Sequence, residues 1–283
     1  MAKSAKPLSE LDQLLAELKS IVERLPGAAV VVNKGEAKRA WQALEKTATR
    51  FAEMVEHIDP IKRPKSIFDL SNPEIVGRVI ALTLIAQERL PLANTAKFYG
   101  SGIYAIYYNG DFSPYLMLSK TEHPIYVGKA DPDSPGAKDP VSQGPKLAGR
   151  LNDHRRSISK AATLNIGDFD CRFLVVQSGW QAAAERYLIN LFRPIWNSEV
   201  NICYGIGKHG DVGRQHPNSP WDTLHPARDW ANNNIKGDQK PPEQIILEIQ
   251  EHLATNSPYT DRHQLFDRFM LDMRQLPATP KEK

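Results

Sequence analysis

Three short stretches limit what this chain can fold into. Residues 102–108 read GIYAIYY, residues 124–128 PIYVG and residues 169–176 FDCRFLVV. Each is rich in the β-branched and aromatic side chains that suit a pleated, half-buried surface, so each reads as a strand. Asn109 and Gly110 follow the first as a turn signal. Between the second and third, residues 146–161, KLAGRLNDHRRSISKA, place Leu147, Leu151 and Ile158 at helical spacing. A second helix is expected from AAAERYLINLFRPIWN, residues 182–197. Strand, strand, helix, strand, helix is an α+β arrangement around a small sheet, and the Pro- and Gly-rich residues 131–145 read as a loop.

The first hundred residues are helical in period. Ser9 and Asp12 resemble a capping box, and Leu11, Leu14, Leu15, Leu18, Val22 and Leu25 form a stripe that Pro26 and Gly27 are expected to stop. Trp41, Leu44, Ala48, Phe51, Val55 and Ile58 form a second stripe, ended by Asp59 and Pro60. Pro73 marks the start of a third helix, whose residues 75–90 are apolar on nearly all sides and belong in a core. Residues 198–241 read as loop, and residues 243–253 and 262–276 as two further amphipathic segments.

The chain of 283 residues is 41% hydrophobic and 24% charged, ordinary for a soluble protein. Only Cys171 and Cys203 are present, without metal-type spacing, so neither a disulfide framework nor a cysteine zinc site is indicated and a reducing cytoplasm fits best. The N-terminus has no apolar signal core, and no uncharged apolar run is long enough to span a membrane.

The formal charge of +3 does not by itself announce a nucleic-acid partner. Its distribution says more. Lys146, Arg150, Arg155, Arg156 and Lys160 share a short helical segment with one acid, Asp153, a local excess larger than the charge of the whole chain. Such a run is either a solvated face or a seat for phosphates. Glu185 poses the opposite question, because Ala182, Leu188, Ile189 and Phe192 lie three, four or seven positions away and share its helix face. Either the carboxylate is solvated surface or, if the stripe is core, it needs a cation.

Singly, a strand tyrosine, a helical Arg/His pair four apart or a helical glutamate is unremarkable. In order, however, the chain presents Gly102-Ile103-Tyr104, then Tyr126-Val127-Gly128, then Arg150 with His154, then Glu185, then Asn197. This series resembles the GIY-YIG nuclease superfamily over residues 100–200. Within it the chain is most similar to type II restriction endonucleases that cut a GC-only palindrome, for which CCGCGG is the expected site. ERLPL before the first strand, the GDF turn, YVGKA and WDTLHPARDWA all look like that group. Val127 replaces the isoleucine of YIG, and the gap from Tyr104 to Tyr126 is longer than in homing or repair members.

The resemblance implies a three-stranded antiparallel sheet flanked by helices. It divides the chain into a helical region at 1–98, a nuclease core at 99–200, a loop region for DNA recognition at 201–240 and a helical extension at 241–283. It implies that Glu185 binds one divalent metal, Mg2+ with Mn2+ as a substitute, which acts as a Lewis acid on the scissile phosphodiester. Tyr104 is the implied base with His154 orienting it or sharing its proton, though histidine starts nearer neutral pH, so both remain candidates. Arg150 suits charge stabilisation, Tyr126 and Asn197 orientation, and Lys129 assistance to a metal water or a phosphate.

Lys146, Arg155, Arg156 and Lys160 are then expected to track the DNA backbone, and Lys208, His209, Arg214 and Arg228 either to read guanines or to serve a structural loop. A palindromic target implies a homodimer, with the first helix as the dimer element or as part of the protein's own core. A companion methyltransferase for the same site is also implied. The competing readings are a structure-specific repair or homing nuclease and a DNA-binding protein that does not cut.

Overall fold

The computed structural model describes residues 9–29, 33–58, 61, 69–207, 218–226 and 240–274. The chain divides into two compact units, Met1–Lys65 and Ser66–Lys283. The first holds α1 (Glu10–Ala29) and α2 (Lys34–Ile58). Ser9 and Asp12 form the expected box: the Ser9 N–H donates to Asp12 Oδ2 at 3.1 Å and the Asp12 N–H to Ser9 Oγ at 3.2 Å. The helix does not stop at Pro26 but carries it and runs on to Ala29. Close to a helix end a proline forfeits a single ladder bond, which the flanking turns tolerate.

The second unit is built on an antiparallel sheet of β1 (Leu90–Pro91), β2 (Gly102–Tyr108), β3 (Tyr126–Ala130) and β4 (Phe169–Val175), in the order β1-β4-β2-β3. The three-stranded expectation is thus corrected by one short edge strand, in which Leu90 pairs with Cys171 and Pro91 with Asp170. That strand also shortens the third helix: α3 spans Pro73–Ala86 and leaves Leu90 to the sheet. Pro91 biases Leu90 to extended backbone, and an edge strand tolerates a residue that cannot donate.

Strand β2 lies in the middle and is buried along its whole length. Tyr104, Ile106 and Tyr108 point to one face, beneath α4 (Lys146–Lys160) and α7 (Pro242–Thr255). Ile103, Ala105 and Tyr107 point to the other, beneath α3, α5 (Gln181–Phe192) and α8 (Arg262–Arg274). Leu147, Leu151 and Ile158 of α4 are fully closed to solvent, as their spacing suggests. Helix α5 approaches α3 at Gly77, where a β-carbon would lie 2.8 Å from the Ala183 carbonyl carbon.

Asn109 and Gly110 do not close a tight hairpin. The Asn109 N–H donates to Asp168 O at 2.8 Å and its side chain to Asp170 Oδ2 at 2.8 Å, while the chain passes through a 3-10 turn at Ser113–Leu118 before β3. The segment expected to be all loop after residue 198 contains a short helix, α6 (Pro220–Leu224). Its signal was local: Ser219 accepts from the Asp222 N–H, Pro220 opens the first turn and Asp222 supplies the acid. Trp221 from this helix is fully buried, with its ring edge-on to Trp196 at 5.9 Å. Among the described residues no helix is long and apolar enough to cross a membrane.

Candidate active site

The register of β2 and β3 assembles the two tyrosines. Tyr104 pairs with Gly128, and Ile106 with Tyr126, so both phenols face α4. Gly128 makes this possible, since a β-carbon there would stand 2.6 Å from the Tyr104 hydroxyl oxygen. Gly102 is equally constrained: a β-carbon would meet Leu174 O of β4 at 2.0 Å. The glycines of both motifs are therefore places where the backbone or a tyrosine comes too close for a side chain.

From α4, His154 reaches under the sheet and places Nε2 2.7 Å from the Tyr104 hydroxyl. Tyr104 is fully buried and His154 is 2% exposed. The Tyr126 ring lies 6.0 Å from that of Tyr104 and 4.8 Å from that of His154, and Tyr126 is only half-buried. Burial holds the Tyr104 phenol well above its ordinary range and the neighbouring Tyr126 adds to this, while the charge of Arg150 opposes it. Tyr126 is raised as well, again chiefly by burial, with its hydrogen bond to Tyr104 working the other way.

Two adjoining clefts open at the β3 edge. The larger, about 430 Å³, is lined by Tyr126, Lys129, Asp131, Asp133, Lys146, Arg150 and Glu185. The smaller, about 230 Å³, shares Tyr126, Arg150 and Glu185 and adds Asn197, Glu199 and Tyr204. Lys129 pairs with Ile103 across the sheet and therefore sits on the α5 face, with Glu185, whereas Tyr126 and Arg150 come from the α4 face. The site wraps around an edge strand, reached from both faces. Arg150 is exposed, and among the described residues no carboxylate pairs with it.

Glu185 lies half-buried beside Leu188 and Ile189, whereas Ala182 of the same expected stripe is exposed. Burial pushes its carboxyl up to about 7; Lys129 opposes the rise, and Glu199 and Asp131 reinforce it. A carboxylate so placed gains from a cation. Among the described residues no three His, Cys, Asp or Glu side chains gather into a metal cage. With Asp131 and Asp133 paired to lysines, Glu185 in this open polar cleft fits Mg2+, which keeps several waters and takes substrate oxygens for the rest.

Asn197 reaches the site through a sharp turn. Helix α5 ends at Phe192, Arg193 adopts left-handed backbone at φ 47° with its N–H on Ile189 O, and the Trp196 N–H donates to Ile125 O at 3.1 Å. The Asn197 side chain then accepts from the Val127 N–H at 3.0 Å and donates to Val127 O at 2.8 Å. It braces β3 between the motif tyrosine and glycine.

Of the expected phosphate-tracking residues, Lys146 lines the cleft and pairs with Asp133. Arg156 is exposed and paired with Asp153, and Lys160 is exposed. Arg155 donates to Ala93 O and to Asn152 Oδ1, tying α4 to the turn between β1 and β2. Lys208, His209, Arg214 and Arg228 lie outside the described residues. The sequence reading missed Asp131 and Asp133, which hold Lys129 and Lys146. The alternation of charges at the strand end, Lys129-Ala130-Asp131-Pro132-Asp133, was their signal.

A family model described as the Eco29kI GIY-YIG domain matches residues 96–253, more than half of the chain. No curated protein matches it significantly.

Proposed function

Because this chain belongs to the Eco29kI GIY-YIG family, a nuclease family of restriction type, we propose that it is a type II restriction endonuclease that hydrolyses duplex DNA at a short GC-only palindrome, with CCGCGG as the first site to test. One observation carries this reading: Tyr126, Arg150 and Glu185 line a common cleft with the Tyr104–His154 pair directly behind it. The competing repair, homing and non-cleaving readings have no comparable support.

In this mechanism Arg150, free of carboxylate partners among the described residues, holds the scissile phosphate with its planar fork of donors and offsets charge that grows in the transition state. The proton of the attacking water passes by way of the Tyr126 hydroxyl, which lines the cleft and bonds that of Tyr104, to Tyr104 as the Tyr104 proton moves to His154 Nε2, so no free phenolate has to persist in a buried place. Tyr126 orients the phosphate from the cleft wall, and Asn197 keeps β3 and therefore Tyr126 in place. Glu185, with Lys129 beside it, would hold Mg2+ or Mn2+, which when bound supplies Lewis-acid stabilisation of the leaving 3′-oxygen.

Lys146 at the cleft, and Arg156 and Lys160 farther along α4, are the proposed backbone contacts, with Arg155 bracing their helix, and Lys208, Arg214 and Arg228 are the proposed base readers. A two-fold target calls for a homodimer, and α1, whose Leu11, Leu14 and Val22 are exposed, is the proposed dimer element. The enzyme would work in the cytoplasm beside a methyltransferase that protects the same site. Digestion of a sequenced plasmid with Mg2+ tests the cleavage reading: discrete fragments that map to one sequence and vanish in Glu185→Ala support it, and a smear or intact plasmid defeats it.

A further inference from the structure

Two buried glutamines join the elements that carry the site. Gln143, 1% exposed, precedes α4, and its Oε1 accepts from the Ser101 N–H at 2.8 Å while its Nε2 donates to Val176 O at 3.0 Å. Gln181, 2% exposed, opens α5; its Nε2 donates to Ser101 Oγ at 3.1 Å and its Oε1 accepts from the Gly179 N–H at 2.8 Å. Ser101 is fully buried and stands immediately before β2. Backbone bonds complete the knot: the Gly100 N–H donates to Gly144 O at 2.8 Å, the Leu147 N–H to Gly100 O at 3.0 Å and the Val176 N–H to Ser101 O at 2.9 Å.

These polar groups meet at the point where the entry to β2, the end of β4 and the starts of α4 and α5 come together. Each places a member of the site a short, stiff distance away. Glu185 is one helical turn beyond Gln181, Arg150 rises from the first turns of α4 just past Gln143, and Tyr104 is three residues beyond Ser101. Neither helix start relies on capping by the residue before it: Pro145 and Trp180 make no side-chain cap bond. The knot therefore fixes where the two helix starts sit relative to the strand.

We infer that Gln143 and Gln181 are positioning residues for cleavage, setting the separation between the Glu185 carboxylate, the Arg150 guanidinium and the Tyr104–His154 pair through their shared bonds to Ser101. The inference rests on the nuclease reading above, and it adds two residues that touch no substrate. A shift of about 1 Å in a reacting group lowers a rate by about 10²-fold. A packing defect alone would instead lower stability and leave the rate of folded protein near its original value.

The test compares Gln181→Met and Gln143→Met, which keep length and lose the polar bonds, with Gln181→Glu, which keeps the acceptor for Gly179 and can receive a bond from the Ser101 hydroxyl. Folding is read by circular dichroism, duplex affinity without divalent ion, and cleavage as a single-turnover rate. The expected result is folded protein, duplex affinity within about twofold, a cleavage rate lower by about 10- to 100-fold in both Met variants, and recovery to within about threefold in Gln181→Glu.

Cleavage within twofold of the original in the Met variants overturns the inference. So does loss of folding in both, because the glutamines are then needed for the fold itself. If the unaltered chain binds duplex but never cuts, the nuclease reading fails separately. The positioning role is then decided at fixed pH by the carbon-13 shifts of the labelled Tyr104 ring and Arg150 side chain, which move in Gln143→Met and Gln181→Met if the knot places those groups and stay unchanged if it does not.

Discussion

The Tyr104 hydroxyl lies 2.7 Å from His154 Nε2, and both side chains are closed to solvent. Burial makes the phenolate costly, so a base built on Tyr104 needs its neighbour to take the proton. His154→Ala is expected to lower the single-turnover cleavage rate by about 10²- to 10⁴-fold with duplex affinity retained. Tyr104→Phe should match it, and the double variant should lose little more, because in the proposed mechanism the two act as one relay. A double variant whose loss equals the product of the single losses would show independent roles.

Gly128→Ala should be more harmful than its size suggests. The added carbon would stand 2.6 Å from the hydroxyl of Tyr104, a fully buried side chain held by His154. A stability loss of about 1–3 kcal/mol and at least a tenfold loss of cleavage are expected. Denaturant unfolding and a plasmid assay measure both, and an unaffected cleavage rate would contradict the close approach.

In the proposed mechanism Glu185 links activity, metal and pH. Its carboxyl sits at about 7 in the fold against an ordinary 4.5, so between those values the native state keeps a proton that the unfolded chain releases. The sign is destabilising as pH rises: stability falls from about pH 4.5 to 7 and then levels off. Glu185→Gln should therefore stabilise the metal-free protein at pH 8 by about 1–3 kcal/mol, have little effect at pH 4, and abolish cleavage. Melting curves in chelator at both pH values test this. In the unaltered protein, Mg2+ should bind more tightly at pH 8 than at pH 6, read by calorimetry, because the proton must leave first.

His123 sets a limit on acid stability. It is 2% exposed, packed against Phe192 and Tyr259 at 5.3 and 6.1 Å, and burial pushes it down to about 4 from 6.5. The unfolded chain takes the proton first, so this group's contribution to stability is lost as pH falls from about 6.5 and bottoms out near 4. Between pH 7 and 5 the protein should lose about 2 kcal/mol more than His123→Phe. Denaturant unfolding at the two pH values decides it, and equal losses would show that His123 is not held neutral.

Much of this site was legible before any coordinates. The GIY strand, α4 with its inward leucines and the Glu185 helix follow from local period and composition, and these elements lie where the sequence puts them. Less visible was the edge strand at Leu90 and Pro91, whose partners Cys171 and Asp170 are eighty residues away. The short helix holding Trp221 was missed because a single turn offers no repeat to detect.

The amino-acid sequence by itself determined the longer helices and strands of the site and which chemical groups each one carries, because helix and strand periods are written within a few residues of one another. Only the tertiary structure decided that Tyr104 and His154 are sealed while Tyr126 and Arg150 face the cleft, that Asp131 and Asp133 hold the cleft lysines, and that Gln143 and Gln181 meet at Ser101. Burial and pairing are set by contacts among segments distant in the chain, and strand register places each side chain on one face or the other.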